Sequence, residues 1–184
     1  MLIKPGATLG LMGGGQLGRM FTMAAQCLGY QVAVLDPSSE SPAGCVAEHF
    51  FCADYSDNHA LQELGVQCAA ITTEFENIPA ESLRRLAETC VVSPDAHSVC
   101  IAQNRVVEKA FLVTNGFSVA PYEVVVETEG NLMTQSPNLF PGILKVSQFG
   151  YDGKGQRRVN NQAELETAFD NLKIEANYRG ISSG

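Results

Sequence analysis

The chain has 184 residues, a length for one domain or one and a half at roughly 150 residues per domain. Apolar residues make up 45% and charged residues 17%, which predicts a globular protein with a sizeable core. The net charge of −8 argues against a nucleic-acid or anionic-membrane partner, each of which needs a basic face, but leaves room for a phosphate held by a few local basic groups. Along the chain, residues 7–12 form a short apolar strand that ends in Gly13-Gly14-Gly15. A helix follows, with Leu17, Met20, Phe21, Ala24 and Leu28 on one face and Gly29 as its stop. Residues 30–35 are a second buried strand, closed by Asp36-Pro37. This is βαβ grammar, and it predicts an open parallel sheet of the Rossmann-like α/β class.

Residues 41–47 read as a short helix and 50–52 as a third strand. Asp57 is placed to N-cap a helix through Leu64, with Gly65 after it. Residues 69–72 give a fourth strand, then the acidic turn Glu74-Phe75-Glu76-Asn77. Pro79 opens a helix to about Glu88, and Val91-Val92 is a last short strand. Ser93-Pro94-Asp95 reads as a boundary, which divides the chain into 1–94 and 95–176. Beyond it, helices are predicted over 96–102 and 103–114, with Asn115-Gly116 as the end. Residues 119–126 are a strand region, 127–140 are polar and weakly patterned, and strands 142–146 and 156–160 flank a glycine loop. A helix from Asn161 to about Leu172 presents Leu165, Ala168, Phe169 and Leu172, and 177–184 carry no core pattern.

The six cysteines form no Cys-x-x-Cys and no Cys/His cluster of metal spacing. Most lie in apolar runs, which predicts buried, reduced thiols in a cytoplasmic protein. The N-terminus lacks the apolar run of a signal peptide, and no stretch has the ~20 apolar residues of a membrane span.

Two glycine motifs carry the chemistry. Gly13-Gly14-Gly15-Gln16-Leu17-Gly18 satisfies G-x-G-x-x-G between a strand and a helix, and Asp36 ends the next strand where a ribose-binding acid sits in dinucleotide folds. Such a loop holds any phosphate at the free N–H groups of the helix N-terminus, and Asp36 reads equally as a turn residue. Arg19 either reaches that phosphate or is solvated. Glu74 lies at the carboxyl end of a parallel strand, where open α/β sheets place ligands, and can accept from an amine or ribose hydroxyls. The second motif is Gly150-Tyr151-Asp152-Gly153-Lys154-Gly155-Gln156, between two strand candidates. Its glycines permit an anion nest, and Lys154 and Lys145 add point charges suited to phosphate. It is not a Walker A loop, because a strand rather than a helix follows. Arg105 and Lys109 share a helix face near a nucleotide phosphate or belong to a solvated surface.

These stretches in this order resemble the 5-(carboxyamino)imidazole ribonucleotide synthase family of ATP-grasp carboxylases: 13–20, 73–79, Arg105 with Lys109, and Lys145 followed by 150–156. The resemblance covers the chain to about Ala176. It implies a pre-ATP-grasp domain followed by the first, incomplete lobe of an ATP-grasp domain. It implies ATP-dependent carboxylation of 5-aminoimidazole ribonucleotide with bicarbonate through carboxyphosphate, in purine biosynthesis. By the same resemblance Arg105 and Lys145 contact ATP, and Gly150 to Gln156 form the flap over its phosphates. Tyr151, Asp152 and Lys154 face bicarbonate and the substrate amine. Gly15, Gln16, Leu17 and Glu74 meet the ribonucleotide, so the first fingerprint serves substrate phosphate rather than a dinucleotide. A homodimer in the cytoplasm is also implied.

The chain departs from the family at Asn104, where an acidic residue is expected. It is also about half the family's length, so the adenine-binding strand and the Mg²⁺ carboxylates are expected outside it, with no metal ligand within it. Residues 177–184 do not resemble the family, which suggests a truncated or frameshifted reading frame. Two other readings stay open. One is a non-catalytic nucleotide-binding fragment, and the other is a nicotinamide-dependent oxidoreductase, which leaves the second glycine loop unexplained.

Overall fold

A computed structural model describes residues 2–74, 76–128, 131–133, 137–148, 150 and 154–178. The chain forms two compact units, residues 1–102 and 103–184. In the first, β1 (Thr8–Met12), α1 (Gln16–Cys27), β2 (Gln31–Asp36), β3 (His49–Cys52), α2 (Asn58–Gln67), β4 (Ala70–Thr73), α3 (Ala80–Leu86), β5 (Val91–Val92) and α4 (Ala96–Gln103) succeed one another. The five strands are parallel, in the order β3-β2-β1-β4-β5. The predicted open parallel sheet is therefore present.

Strand alternation divides the core between the two faces of the sheet. Val32 and Val34 join Leu11, Ala25 and Ala43 on one face. Ala33 and Leu35 join Met12, Ile71, Leu64 and Leu83 on the other. Val99 of α4 packs into this second cluster, which ties α4 to the first unit.

Four expectations for this unit need correction. The side of α1 that packs on the sheet is Gly18, Thr22 and Ala25, while Leu17, Met20 and Leu28 are each about two-thirds exposed, at 66%, 66% and 68%. Small residues win because helix and sheet approach closely: a Cβ on Gly18 would lie 3.0 Å from Leu11 Cδ2 and from the Gly13 carbonyl oxygen. Residues 41–47 form turns rather than a helix, with Cys45 N–H bonded to the Ser41 carbonyl and Ala47 N–H to that of Ala43. Gly65 does not stop α2, which runs to Gln67; Gly65 is buried in the helix, where a Cβ would collide with Thr89 Oγ1. Cys68 is the only fully buried cysteine, and Cys27, Cys45, Cys52 and Cys100 are exposed. Burial, with Cys90 nearby, pushes the Cys68 thiol up to about 12.

The second unit contains α5 (Arg105–Thr114), β6 (Val126–Thr128), β7 (Asn131–Met133), β8 (Gly142–Lys145), β9 (Gln156–Val159) and α6 (Gln162–Tyr178). The pairs β6–β7 and β8–β9 are both antiparallel. Val159, Leu165 and Ala168 form the centre of its core, with Val125, Phe140 and Leu144 against it. The strand expected over 119–126 begins only at Val126, since Pro121 has no N–H for a ladder. Asn104 separates α4 from α5 and caps α5, accepting from Val106 and Val107 N–H. Asn caps as well as an acid does, so this departure leaves the helix start intact. Helix α6 extends past the expected end at Leu172 to Tyr178, and residues 179–184 of the non-matching tail lie outside the described residues. Val107, Phe111, Val113, Val126 and Ile143 leave apolar surface exposed on this unit. No helix among the described residues is long and apolar enough to cross a membrane.

Asp57 caps α2 as expected, accepting from His59 and Ala60 N–H at 2.9 Å each. Asp57→Ala is expected to lower stability by about 1 kcal/mol, read as a lower urea midpoint at unchanged slope. An unchanged midpoint would show that the cap contributes nothing.

Candidate functional site

Strand register builds the first site. Met12 pairs with Leu35 on one side and with Thr73 on the other. The residues that follow, Gly13, Asp36 and Glu74, therefore emerge side by side at the carboxyl ends of three neighbouring strands. Two backbone bonds continue the ladder there, Gly13 N–H to the Leu35 carbonyl and Glu74 N–H to that of Met12, both 3.0 Å. Gly13 turns the chain at φ +97°, a conformation that glycine adopts without penalty.

The loop's next two N–H groups are taken by carboxylates. Gly14 N–H donates to Asp36 Oδ2 at 2.7 Å, and Gly15 N–H to Glu74 Oε2 at 2.5 Å. The Gly14 carbonyl accepts from the Ser41 hydroxyl and from Ala43 N–H, each at 2.9 Å. Asp36 is held further by the Tyr55 hydroxyl at 2.9 Å and by Ser38 N–H at 2.8 Å. Burial, then the hydrogen bond to Asp36, hold the Tyr55 phenol well above its ordinary pKa. Gly15 is the N-cap of α1 and offers no side-chain acceptor, so the N–H groups of Gln16, Leu17 and Gly18 have no hydrogen-bond partner among the described residues, and of the three only Gln16 and Leu17 are exposed. They open to solvent at the positive end of a helix dipole. Glu74 Oε1 likewise carries no hydrogen bond among the described residues.

In the second unit, Lys145 ends β8 opposite Gln156 of β9. Val146 N–H donates to the Gly155 carbonyl at 2.9 Å, and Gly155 adopts φ +72°. A Cβ on Gly155 would stand 2.6 Å from Val146 Cγ2, so Gly155 packs directly against Val146. Arg105 N–H bonds the Ser147 carbonyl at 2.9 Å, which ties the start of α5 to the strand that carries Lys145. Lys145, Lys154 and Arg105 are exposed. Lys109 Nζ lies 5.7 Å from the centroid of the Tyr122 ring, within the range of a cation–π contact.

Of the residues singled out in the sequence, Gly15, Gln16, Leu17 and Glu74 come together in the first unit. Arg105, Lys145, Gly150, Lys154, Gly155 and Gln156 lie on or beside one hairpin in the second. Tyr151, Asp152 and Gly153 lie outside the described residues. Asp36 is neither a free ribose ligand nor a simple turn residue, since it holds Gly14. Arg19 is exposed. Sequence reasoning missed Tyr55 and Ser41. Tyr55 falls just past the carboxyl end of β3, next to the strand that Asp36 closes, which is the signal that would have found it. Ser41 was hidden by reading 41–47 as a helix.

The ribonucleotide synthetase preATP-grasp domain family matches residues 6–103, and the ATP-grasp domain family matches residues 110–179. The chain belongs to the ribonucleotide synthetase preATP-grasp family. The resemblance read in the sequence and the two-part α/β architecture it implied are thereby borne out. This family member is 42% identical over 164 residues to the N5-carboxyaminoimidazole ribonucleotide synthase of Brucella melitensis, an alignment that covers 89% of this chain and 45% of the relative. The crystal structure of the Staphylococcus aureus N5-carboxyaminoimidazole synthetase complexed with ADP superposes at TM-score 0.81 and 38% identity, covering 93% of this chain and 46% of that one. The Aspergillus clavatus synthase in complex with ADP and 5-aminoimidazole ribonucleotide gives 0.73 at 27% identity, with 90% and 44% covered. The chain thus spans about 45% of the length of the curated relatives it matches.

Tyr55, part-buried and bonded to Asp36, has a pH signature. The phenol's folded pKa is raised above its unfolded value of about 10, so its contribution to stability is complete below that pH and is lost as pH rises through the folded value. Urea unfolding at pH 8 and pH 11 is expected to show a steeper alkaline loss of stability in the wild type than in Tyr55→Phe. Equal losses would contradict a raised Tyr55 phenol.

Proposed function

We propose that the chain provides the ribonucleotide-binding part and the phosphate flap of an ATP-dependent carboxylase that acts on 5-aminoimidazole ribonucleotide with bicarbonate, in purine biosynthesis. The observation that carries this reading is the pair of open N–H groups at Gln16 and Leu17, one residue beyond a loop already closed by Asp36 and Glu74. Two N–H groups at a helix N-terminus suit the single phosphate of a ribonucleotide. In this reading Glu74 Oε1, which carries no hydrogen bond among the described residues, accepts from a ribose hydroxyl or from the substrate amine. The neighbouring synthase solved with ADP and 5-aminoimidazole ribonucleotide supports the choice of substrate.

In this reading Lys145 and Arg105 hold the phosphates of ATP, and the loop from Gly150 to Gln156 closes over them, with Tyr151, Asp152 and Lys154 toward bicarbonate. A bicarbonate oxygen attacks the γ-phosphorus and ADP leaves, giving carboxyphosphate. The substrate amine then attacks the carboxyl carbon, or the CO₂ released from it, losing a proton as inorganic phosphate departs. Carboxyphosphate hydrolyses readily, so the closed flap serves to exclude water. Among the described residues no three His, Cys, Asp or Glu side chains come together to hold a metal, and Asp36 and Glu74 already accept from loop N–H groups. These residues do not fit a Mg²⁺ site, and Mg²⁺ accompanying ATP is assigned no ligand among them. A cytoplasmic homodimer completes the reading.

Glu74→Gln is expected to lower affinity for aminoimidazole ribonucleotide by about 10- to 150-fold, in line with about 1.5–3 kcal/mol for a hydrogen bond to a charged group, with ATP affinity nearly unchanged. Calorimetric titration of the full chain with each ligand checks this. Unchanged ribonucleotide binding would remove Glu74 from the site.

A further inference from the structure

The loop Gly13-Gly14-Gly15-Gln16-Leu17-Gly18 carries the full spacing with which dinucleotide folds bind a pyrophosphate. Each glycine has an assigned purpose in such folds: the first makes the turn, the second lets the backbone approach the pyrophosphate, and the third packs helix against strand. The first and third purposes are served here. Gly13 turns at φ +97°, and a Cβ on Gly18 would press on Leu11 and on the Gly13 carbonyl. The second is not. The space against Gly15 is filled from within the chain, since a Cβ there would collide with Glu74 Oε1 and the Gly15 N–H is bonded to Glu74 Oε2 at 2.5 Å. The acid that would meet a ribose hydroxyl is also occupied. Asp36 Oδ2 accepts from Gly14 N–H and the Tyr55 hydroxyl, and Oδ1 accepts from Ser38 N–H.

We infer that Glu74 and Asp36 are built-in specificity elements: they occupy the pyrophosphate and ribose positions of a dinucleotide fingerprint and restrict the loop to a single phosphate monoester. Glu74 sets the specificity directly, because a pyrophosphate seated at Gly15 would meet a carboxylate in the same space with the same sign of charge. Asp36 acts through Gly14 as a positioning residue, held by Tyr55. What stays open, at Gln16 and Leu17, lies one step along the helix and suits one phosphate group. This inference rests on the ribonucleotide reading above for the identity of the monoester, and not for the exclusion itself.

The test titrates the full chain with ADP-ribose and with aminoimidazole ribonucleotide. It is followed by NMR at the amides of Gly13 to Gly18, so that nucleotide bound elsewhere on the chain is not counted. The wild type is expected to bind the ribonucleotide at least tenfold more tightly than ADP-ribose at these amides. Glu74→Ala, which opens the space at Gly15, is expected to raise ADP-ribose affinity at least tenfold. Glu74→Gln removes the charge and keeps the volume, so it should give a smaller rise, and it decides the matter if Glu74→Ala does not fold by circular dichroism. ADP-ribose affinity unchanged in the folded variants would overturn the inference, as would a wild type that binds both ligands equally. A wild type that binds neither ligand, with ADP-ribose binding gained in Glu74→Ala, would support the exclusion while contradicting the ribonucleotide reading.

Discussion

The carboxylate of Glu74 against the N–H of Gly15 is the contact around which the first unit is arranged. It joins the end of β4 to the loop after β1, across the line where the strand order turns from β2 on one side to β4 on the other. Open α/β sheets bind their ligands at this crevice. A hydrogen bond to a charged group is worth about 1.5–3 kcal/mol, enough to hold a glycine loop in one conformation. The matching bond from Gly14 to Asp36 holds the other side, and Ser41 with Ala43 fixes the carbonyl between them. The helix N-terminus is therefore presented from a rigid mount, with little ordering left for a ligand to impose.

The second unit presents its glycine loop in a different way. Gly150 and Gly155, at the two ends of its glycine loop, lie against Val146 on an antiparallel hairpin. A hairpin carries fewer buried contacts than a five-stranded sheet, and elements that close over ligands are drawn from such low-stability regions. On the proposed function, the first unit supplies the cradle and the second the flap.

Much of this was legible in the sequence, and the failures have physical causes. The apolar runs ending in Met12, Leu35 and Thr72 announced three parallel strands, and the register then set Gly13, Asp36 and Glu74 side by side. The buried side of α1 was misread because periodicity seeks the largest apolar side chains, whereas close packing at Gly18 selects Thr22 and Ala25, four and seven residues on. Gly65 looked like a helix stop, but its lack of a side chain makes room for Thr89, a contact between elements that local pattern does not encode. Asp36 was visible as an acid in a meaningful place. Its partner Tyr55 was not, because a hydroxyl reaching across from the neighbouring strand end leaves no periodic trace.

Asp36 and Glu74 close the N–H groups of Gly14 and Gly15, and on the proposed function those of Gln16 and Leu17 stay open for the substrate phosphate. Amide hydrogen exchange of the full chain, without and with aminoimidazole ribonucleotide, tests it directly. The account predicts that the Gly14 and Gly15 amides are protected in both states and that the Gln16 and Leu17 amides become protected only with ligand. A Gly15 amide exchanging as fast as that of Gln16 in the free chain, or Gln16 and Leu17 amides indifferent to the ribonucleotide, would contradict it.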